Sequence, residues 1–329
     1  MAKKQVSVEL GNTYAHVIVG SKNNISDYGT ITVHEDQIRN KENLFCQREV
    51  ISALGKWLNR NRIRESDISF IIQGSDIITR YIEVPVMKDK LLKEAIEYEL
   101  SQFIPEMDRY YTDYEILEKC QQDKKNQVYR LLLVAAPKEK MDKFMELVSI
   151  LNMNVKTIDI LSNSMARVIK NGPISKAVED VGVFNFGARS SNFFIMEEGM
   201  LKLERTLIFG TDNLTKDVEF GAKEGYILGE KLEDIFYKYP KVKTNLDNAL
   251  NIIAKTIQFY NSGKRDKKLS RIIIISEFVL IDNLMKYMES YFGTECVLVR
   301  KTEDLGVKIK IKESFHRYIG AYGMFLRRD

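Results

Sequence analysis

The stretch VGVFNFGARSSNFFIMEEGMLKLERTLIFGTDNLT, Val181 to Thr215, decides how this chain folds. Runs rich in valine, isoleucine and phenylalanine are broken by Gly187 and again by Glu198–Gly199, which reads as strand, turn, strand, turn, strand. GTDNLT then opens a helix. A glycine turn between two strands can aim successive backbone N–H groups at phosphate oxygens. A carboxylate that helps hold a metal is expected just before such a turn, and the chain places Asn185 there.

The same grammar occurs at the N-terminus. VSVELG and YAHVIVG flank Gly11, Asn12 and Thr13, and YGTITVH (Tyr28–His34) alternates as a third strand. REVISALGKWLNRN follows with Val50, Ile51, Leu54, Trp57 and Leu58 on one helical stripe. Two meanders, each with a glycine first turn and followed by helices and further strands, predict an α/β chain of two lobes.

Between them the character changes. Asp89 is placed to cap a helix with Leu92, Ala95, Ile96, Leu100 and Phe103 on one face, stopped by Pro105. The strand YYTDYEIL, the turn QQDKKNQ, the strand VYRLLLVAA, the helix KEKMDKFMELVSILN and the strand VKTIDI complete a small α+β module from about Ile82 to Asp159. Downstream come the long helix LDNALNIIAKTIQFYNS, the buried-looking strand SRIIIIS, the helix LIDNLMKYMESYFG and the strand ECVLVR. A last helix carries Phe315, Tyr318, Ile319, Tyr322 and Leu326 on one side.

Composition excludes several classes. The net charge of +4 is too mild for a nucleic-acid binder. Cys46, Cys120 and Cys296 stand far apart, and His16, His34 and His316 are scattered, so neither a disulfide framework nor a structural zinc site is expected. MAKKQVSVEL lacks the apolar core of a signal peptide, and the longest apolar runs are far short of a membrane span. The expectation is a reduced, cytoplasmic chain that reaches a membrane through a partner.

Several segments share their order and spacing with one family: RYIEVPVMKDKLLKEAIEYELSQFIPEMDRYYTDYEIL (Arg80–Leu117), GMLKLERTLIFGTDNLT, IAKTIQFY (Ile253–Tyr260) and YIGAYGMFLR (Tyr318–Arg327). The chain resembles the PilM family, actin-like and FtsA-like cytoplasmic proteins of type IV pilus machines. The resemblance implies an actin-like, duplicated ribonuclease H-like fold of two lobes with an inserted α+β subdomain. Residues 1–81 would open the first lobe, 82–159 form the partner-binding insert, and 160–205 complete the first lobe and carry the second hairpin. Residues 206–310 would form the second lobe, and 311–329 a helix returning to the first. It also implies ATP with magnesium held between two hairpins. The cofactor positions would be Gly11, Asn12 and Thr13 in the first turn, Asn185, Gly187, Ala188 and Ser190 in the second, and Glu230.

The family pattern is eroded in this sequence. Glu9 and Asn185 stand where the family has Asp, Ser191 where it has Thr, and His16 where it often has Lys; Gly210–Thr211 takes the place of a glycine pair. Glu233 falls at a lysine position, and SEF (Ser276–Phe278) replaces a glycine run beside adenine. Replacing a cation by a carboxylate about 4 Å from a phosphate turns an attraction into a repulsion, each about 4 kcal/mol at an effective dielectric of about 20 and less if solvated or more distant. Each 1.4 kcal/mol or so is tenfold in affinity. The expectation is a degenerate cleft with no catalytic residue and no protein-held metal. On the residues alone, Gly11 and Gly187 are equally readable as hairpin glycines, whereas His16 reads as a strand surface residue and Glu9 as a solvated or hydrogen-bonded strand-end residue.

In the family, the insert lies beside a groove that takes the N-terminal cytoplasmic tail of a PilN-like membrane protein. Phe103, Ile104, Pro105 and Tyr111 are the candidate contacts, although Phe103 and Ile104 could equally close the helix into the subdomain core. Two functions stay open: a tail-capturing adaptor peripheral to the inner membrane, and an ATP-driven switch or slow ATPase working through lobe closure. Pilus ATPases and further copies of the chain are the other partners the resemblance implies.

Overall fold

A computed structural model describes residues 4–38, 45–121, 126–170, 172–174, 179–187, 190–210, 213, 231–262, 269–276, 283–307, 309 and 315–327. The chain forms two compact units, Met1–Ser21 with Ser26–Leu161, and Lys22–Ile25 with Ser162–Asp329.

The first unit is built on a five-stranded sheet of order β3-β2-β1-β4-β8, with β1 Gln5–Leu10, β2 Tyr14–Ser21, β3 Asn24–Thr32, β4 Asp67–Ile72 and β8 Asn154–Ile160. β1 runs antiparallel to β2 and parallel to β4, and β4 runs parallel to β8. Val6, Val8 and Leu10 point into one core because side chains alternate along a strand, and helix α1 (Arg48–Arg60) covers them with Val50, Ile51, Leu54 and Leu58. Helix α3 (Lys138–Ser149) inserts Phe144 edge-on between Phe45 and Phe70, at ring separations of 6.0 and 5.4 Å. Trp57 is partly buried against this core, as its place on the helical stripe implies.

A three-stranded antiparallel sheet, order β5-β7-β6, belongs to the same unit: β5 Ile78–Pro85, β6 Tyr110–Gln121 and β7 Gln127–Pro137. Helix α2 (Asp89–Ser101) packs on one face with Leu92, Ile96 and Leu100, four residues apart, against Leu131, Leu133 and Ala135. Asp89 does not cap this helix; Lys88 is the N-cap residue and makes no side-chain cap, while Asp89 sits in the first turn, where its charge faces the positive end of the helix dipole. Each buried aliphatic side chain here contributes about 2 kcal/mol by leaving water.

The second unit repeats the strand plan. Its five-stranded sheet has the order β11-β10-β9-β12-β13, with β9 Val181–Phe186, β10 Ser191–Glu197, β11 Met200–Leu207, β12 Arg271–Ser276 and β13 Glu295–Leu298. β9 and β10 are antiparallel, as are β10 and β11; β12 is parallel to both β9 and β13. The duplicated α/β architecture expected from the two meanders is therefore present. Phe184, Phe186 and Phe209 stack at 5.2 and 5.7 Å in the core, beneath the long helix α6 (Pro240–Ser262). Helices α4 (Leu161–Lys170), α5 (Leu232–Lys238) and α7 (Leu284–Phe292) complete the unit.

The C-terminal segment departs from the continuous helix read in the sequence. Among the described residues of this segment, only Ile319–Gly323 (α8) is α-helical, flanked by 3-10 turns at Phe315–Tyr318 and Met324–Leu326. Close packing explains the break: Ser164 on α4 donates to the Gly320 carbonyl at 2.7 Å, and a Cβ on Gly323 would collide with the Ser164 backbone.

Candidate functional site

The first turn joins β1 to β2. The Gly11 N–H donates to the Tyr14 carbonyl at 3.0 Å, and the Thr13 carbonyl accepts from the Val33 N–H at 2.8 Å. Gln47 Nε2 donates to Asn12 Oδ1 at 2.9 Å.

Tyr14 supplies what the sequence reading missed. Its ring folds back over Gly11, so that a Cβ built on Gly11 would fall within bonding distance of the ring edge. The Tyr14 hydroxyl lies 3.4 Å from Glu9 Oε1, to which it donates, and accepts from Gln73 Nε2 at 3.1 Å. The ring also rests 4.5 Å from the His16 imidazole. His16 is not a surface residue: it is 1% exposed, and its Nδ1 is 3.0 Å from Thr30 Oγ1. Glu9 is buried too, within the sheet and not in solvent. In this five-stranded sheet both faces of β1 and of β2 are covered, so alternation alone could not tell inside from outside at these two positions. The one signal in the sequence was a large aromatic residue immediately after a glycine turn.

The second turn follows β9. Gly187 packs against the Ser190 carbonyl, which a Cβ would approach to 2.6 Å, so the turn is tight enough to require glycine. Asn185 is half-buried and in register with Asn192 and Ile275, while Ser191, fully buried, donates its hydroxyl proton to the Phe209 carbonyl at 2.7 Å. The Gly210 N–H donates to Asn213 Oδ1 at 2.9 Å. Ala188, Thr211, Glu230 and Phe278 lie outside the described residues. Glu233 is exposed on the first turn of α5. Among the described residues, no group of three or more His, Cys, Asp or Glu side chains is arranged to hold a metal ion.

ATP fits the first turn poorly as it stands. A phosphate held by a hairpin turn needs free N–H groups about 2.9 Å from its oxygens and bare backbone at the glycine. Here the Gly11 N–H is spent on the Tyr14 carbonyl and the glycine lies under an aromatic ring.

The four candidate contacts on the insert do not form one patch. Ile104 is 2% exposed and belongs to the core beneath α2, and its N–H donates to the Leu100 carbonyl at 3.0 Å. Phe103 is half-buried on the same side, with the Arg80 guanidinium 4.5 Å above its ring. Pro105 is exposed, followed by Glu106 in the left-handed conformation (φ 57°). Tyr111 is on the opposite face, because its neighbour Tyr110 packs toward α2 and side chains alternate along β6. There it is 49% exposed, donates to Asp142 Oδ1 at 2.9 Å and carries Lys138 Nζ 5.5 Å from its ring. The hydrogen bond to Asp142 holds the Tyr111 phenol above its ordinary pKa.

That opposite face carries buried Val128, Leu132 and Ala136 on β7 and is braced by charge. Arg130 on β7 bridges Glu83 on β5 (3.0 Å) and Glu118 on β6 (3.4 Å), tying all three strands together. Partial burial pulls the guanidinium down, but Cys120, Glu83 and Glu118 together hold it above its ordinary pKa. Large apolar side chains elsewhere on the insert are exposed in ways the sequence reading did not single out: Leu91 and Tyr98 on α2, and Ile116 on β6.

The family described as "Type IV pilus assembly protein PilM" matches residues 20–329. No curated protein matches the chain in sequence. Among solved structures, a PilM-PilN type IV pilus biogenesis complex is similar at a TM-score of 0.74 and 12% identity, covering 100% of both chains. The ethanolamine utilization protein EutJ from Carboxydothermus hydrogenoformans follows at a TM-score of 0.48 and 10% identity, covering 99% of this chain and 90% of the other. A Bacteroides thetaiotaomicron protein with an actin-like ATPase fold and unknown function gives 0.44 and 12%, with 90% of each chain covered.

Proposed function

Because the chain belongs to the PilM family of type IV pilus assembly proteins, we propose that it works in that assembly as an adaptor for the cytoplasmic tail of a PilN-like membrane protein. The observation that carries this reading is the likeness, over the full length of both chains, to a protein solved as a PilM-PilN complex. Among the described residues no helix is long and apolar enough to cross a membrane, so the adaptor would meet the membrane through its partner. The inserted subdomain would receive the tail. It is braced by Arg130 and offers exposed Tyr111 and Pro105 as rigid contacts, which lose little conformational entropy on binding.

In this reading nucleotide plays no part in capture, and the first turn is a relic of a phosphate-binding hairpin. Calorimetric titration of a synthetic PilN-like N-terminal peptide into the purified full chain, without nucleotide, tests the proposal. Saturable binding at micromolar concentration is expected. The absence of heat at high micromolar peptide, with the protein folded, would sink the adaptor reading.

A further inference from the structure

The packing over the first turn points to more than erosion. We infer that Tyr14 is the residue that excludes a polyphosphate from this turn, acting as a plug supplied by the hairpin itself. The inference rests on reading the turn as a former nucleotide hairpin and names the side chain that closes it.

Three contacts make the ring a fixed obstacle. Its edge occupies the space directly over Gly11, the one position where bare backbone would let a phosphate approach. Its hydroxyl is held from two sides, by Gln73 Nε2 at 3.1 Å and by Glu9 Oε1 at 3.4 Å. Its face lies against the buried His16 imidazole, centroids 4.5 Å apart. A phosphate entering the turn would have to displace the ring from all three, and expelling the hydroxyl would strip Glu9, itself 6% exposed, of a donor.

The charge around the plug acts the same way. Glu9, one residue before the end of β1, lies 3.4 Å from the Tyr14 hydroxyl, so a triphosphate that displaced the ring would meet this carboxylate. Glu9, Gln47 and Gln73 belong to the same compact unit as the turn, so closure needs no movement of another part of the chain.

The test compares the full chain with Tyr14→Ser and Tyr14→Phe. Thermal melting is followed with and without millimolar Mg·ATP, and each protein is titrated with the PilN-like peptide. Wild type and Tyr14→Phe are expected not to respond to Mg·ATP, because both keep the ring over Gly11. Tyr14→Ser is expected to melt several degrees higher with Mg·ATP, as ligand binding to the folded state requires. A wild-type shift as large as that of Tyr14→Ser overturns the inference. So does a folded, peptide-competent Tyr14→Ser protein that ignores Mg·ATP, because something other than the ring then excludes the nucleotide.

Should Tyr14→Ser fail to fold, 3-fluorotyrosine labelling of the wild type decides the matter. The fluorine signal of Tyr14, assigned by its loss in Tyr14→Phe, is expected to stay in place as Mg·ATP is added, and a saturable shift overturns the plug. Failure of the adaptor reading is separately visible: peptide binding would be absent in every variant while the nucleotide responses stood as expected.

Discussion

Tyr260 on α6 donates its phenolic proton to Asp180 Oδ2 at 2.8 Å, and both residues are buried. Asp180 immediately precedes β9, the strand that leads into the second glycine turn, so this bond fixes the long helix against the start of that strand. Burial, followed by the Asp180 hydrogen bond, pushes the Tyr260 phenol well above its ordinary range. Tyr260→Phe removes a donor to a buried carboxylate, and hydrogen bonds to charged groups are worth about 1.5–3 kcal/mol. Urea unfolding should show a loss of about that size with little change in slope; a loss below about 0.5 kcal/mol would mean the bond is idle.

Stability should also fall at alkaline pH. Burial pushes the thiols of Cys46 and Cys296 from an ordinary 9.0 up to about 12, and Tyr260 is raised as well. The folded chain therefore keeps protons that the unfolded chain releases. The stabilisation is complete below pH 9 or so and is lost as pH rises toward about 12. Denaturant midpoints measured under reducing conditions should be flat from about pH 7 to 8.5 and decline beyond, and the double variant Cys46→Ala/Cys296→Ala should flatten part of that decline.

Thiol accessibility offers an independent check of the fold. Cys46 and Cys296 are buried, whereas Cys120 on β6 is half-exposed. A thiol reagent added to the native chain should label Cys120 first, with the other two reacting at the rate of unfolding. Fast labelling of Cys46 would contradict its place in the core beside α1.

The insert residues should separate by role. Ile104→Ala opens a cavity under α2 and should cost about 2–5 kcal/mol in stability. Tyr111→Ala should leave melting nearly unchanged, because a surface truncation costs about 0.5 kcal/mol or less. On the adaptor reading, Tyr111→Ala weakens tail binding about tenfold, or about 1.4 kcal/mol, while Phe103→Ala does not, since the two rings are on opposite faces of the sheet. Equal loss for both, measured by peptide titration, would place the tail elsewhere.

Much of this protein was legible as written. The repeat of strand, glycine turn and strand at Gly11 and at Gly187 announced a duplicated α/β chain, and the helical spacing of Val50, Ile51, Leu54 and Leu58 announced α1, because period and composition are local properties. Local reading erred where a residue's surroundings come from distant parts of the chain. It put His16 on a surface, although Thr30 and the ring of Tyr14 enclose it. It grouped Ile104 with Tyr111, although one is in the core and the other across the sheet. It extended the last helix past the point where Ser164, more than a hundred and fifty residues earlier, meets Gly320 and Gly323.

What the sequence determined by itself was therefore the order of elements and the family to which they belong. What tertiary structure decided was which side of each strand is enclosed and what stands over each turn. The reason is geometric: side-chain period sets the faces of an element, but only its neighbours decide whether a face meets water, another sheet face or, at Gly11, the ring of Tyr14.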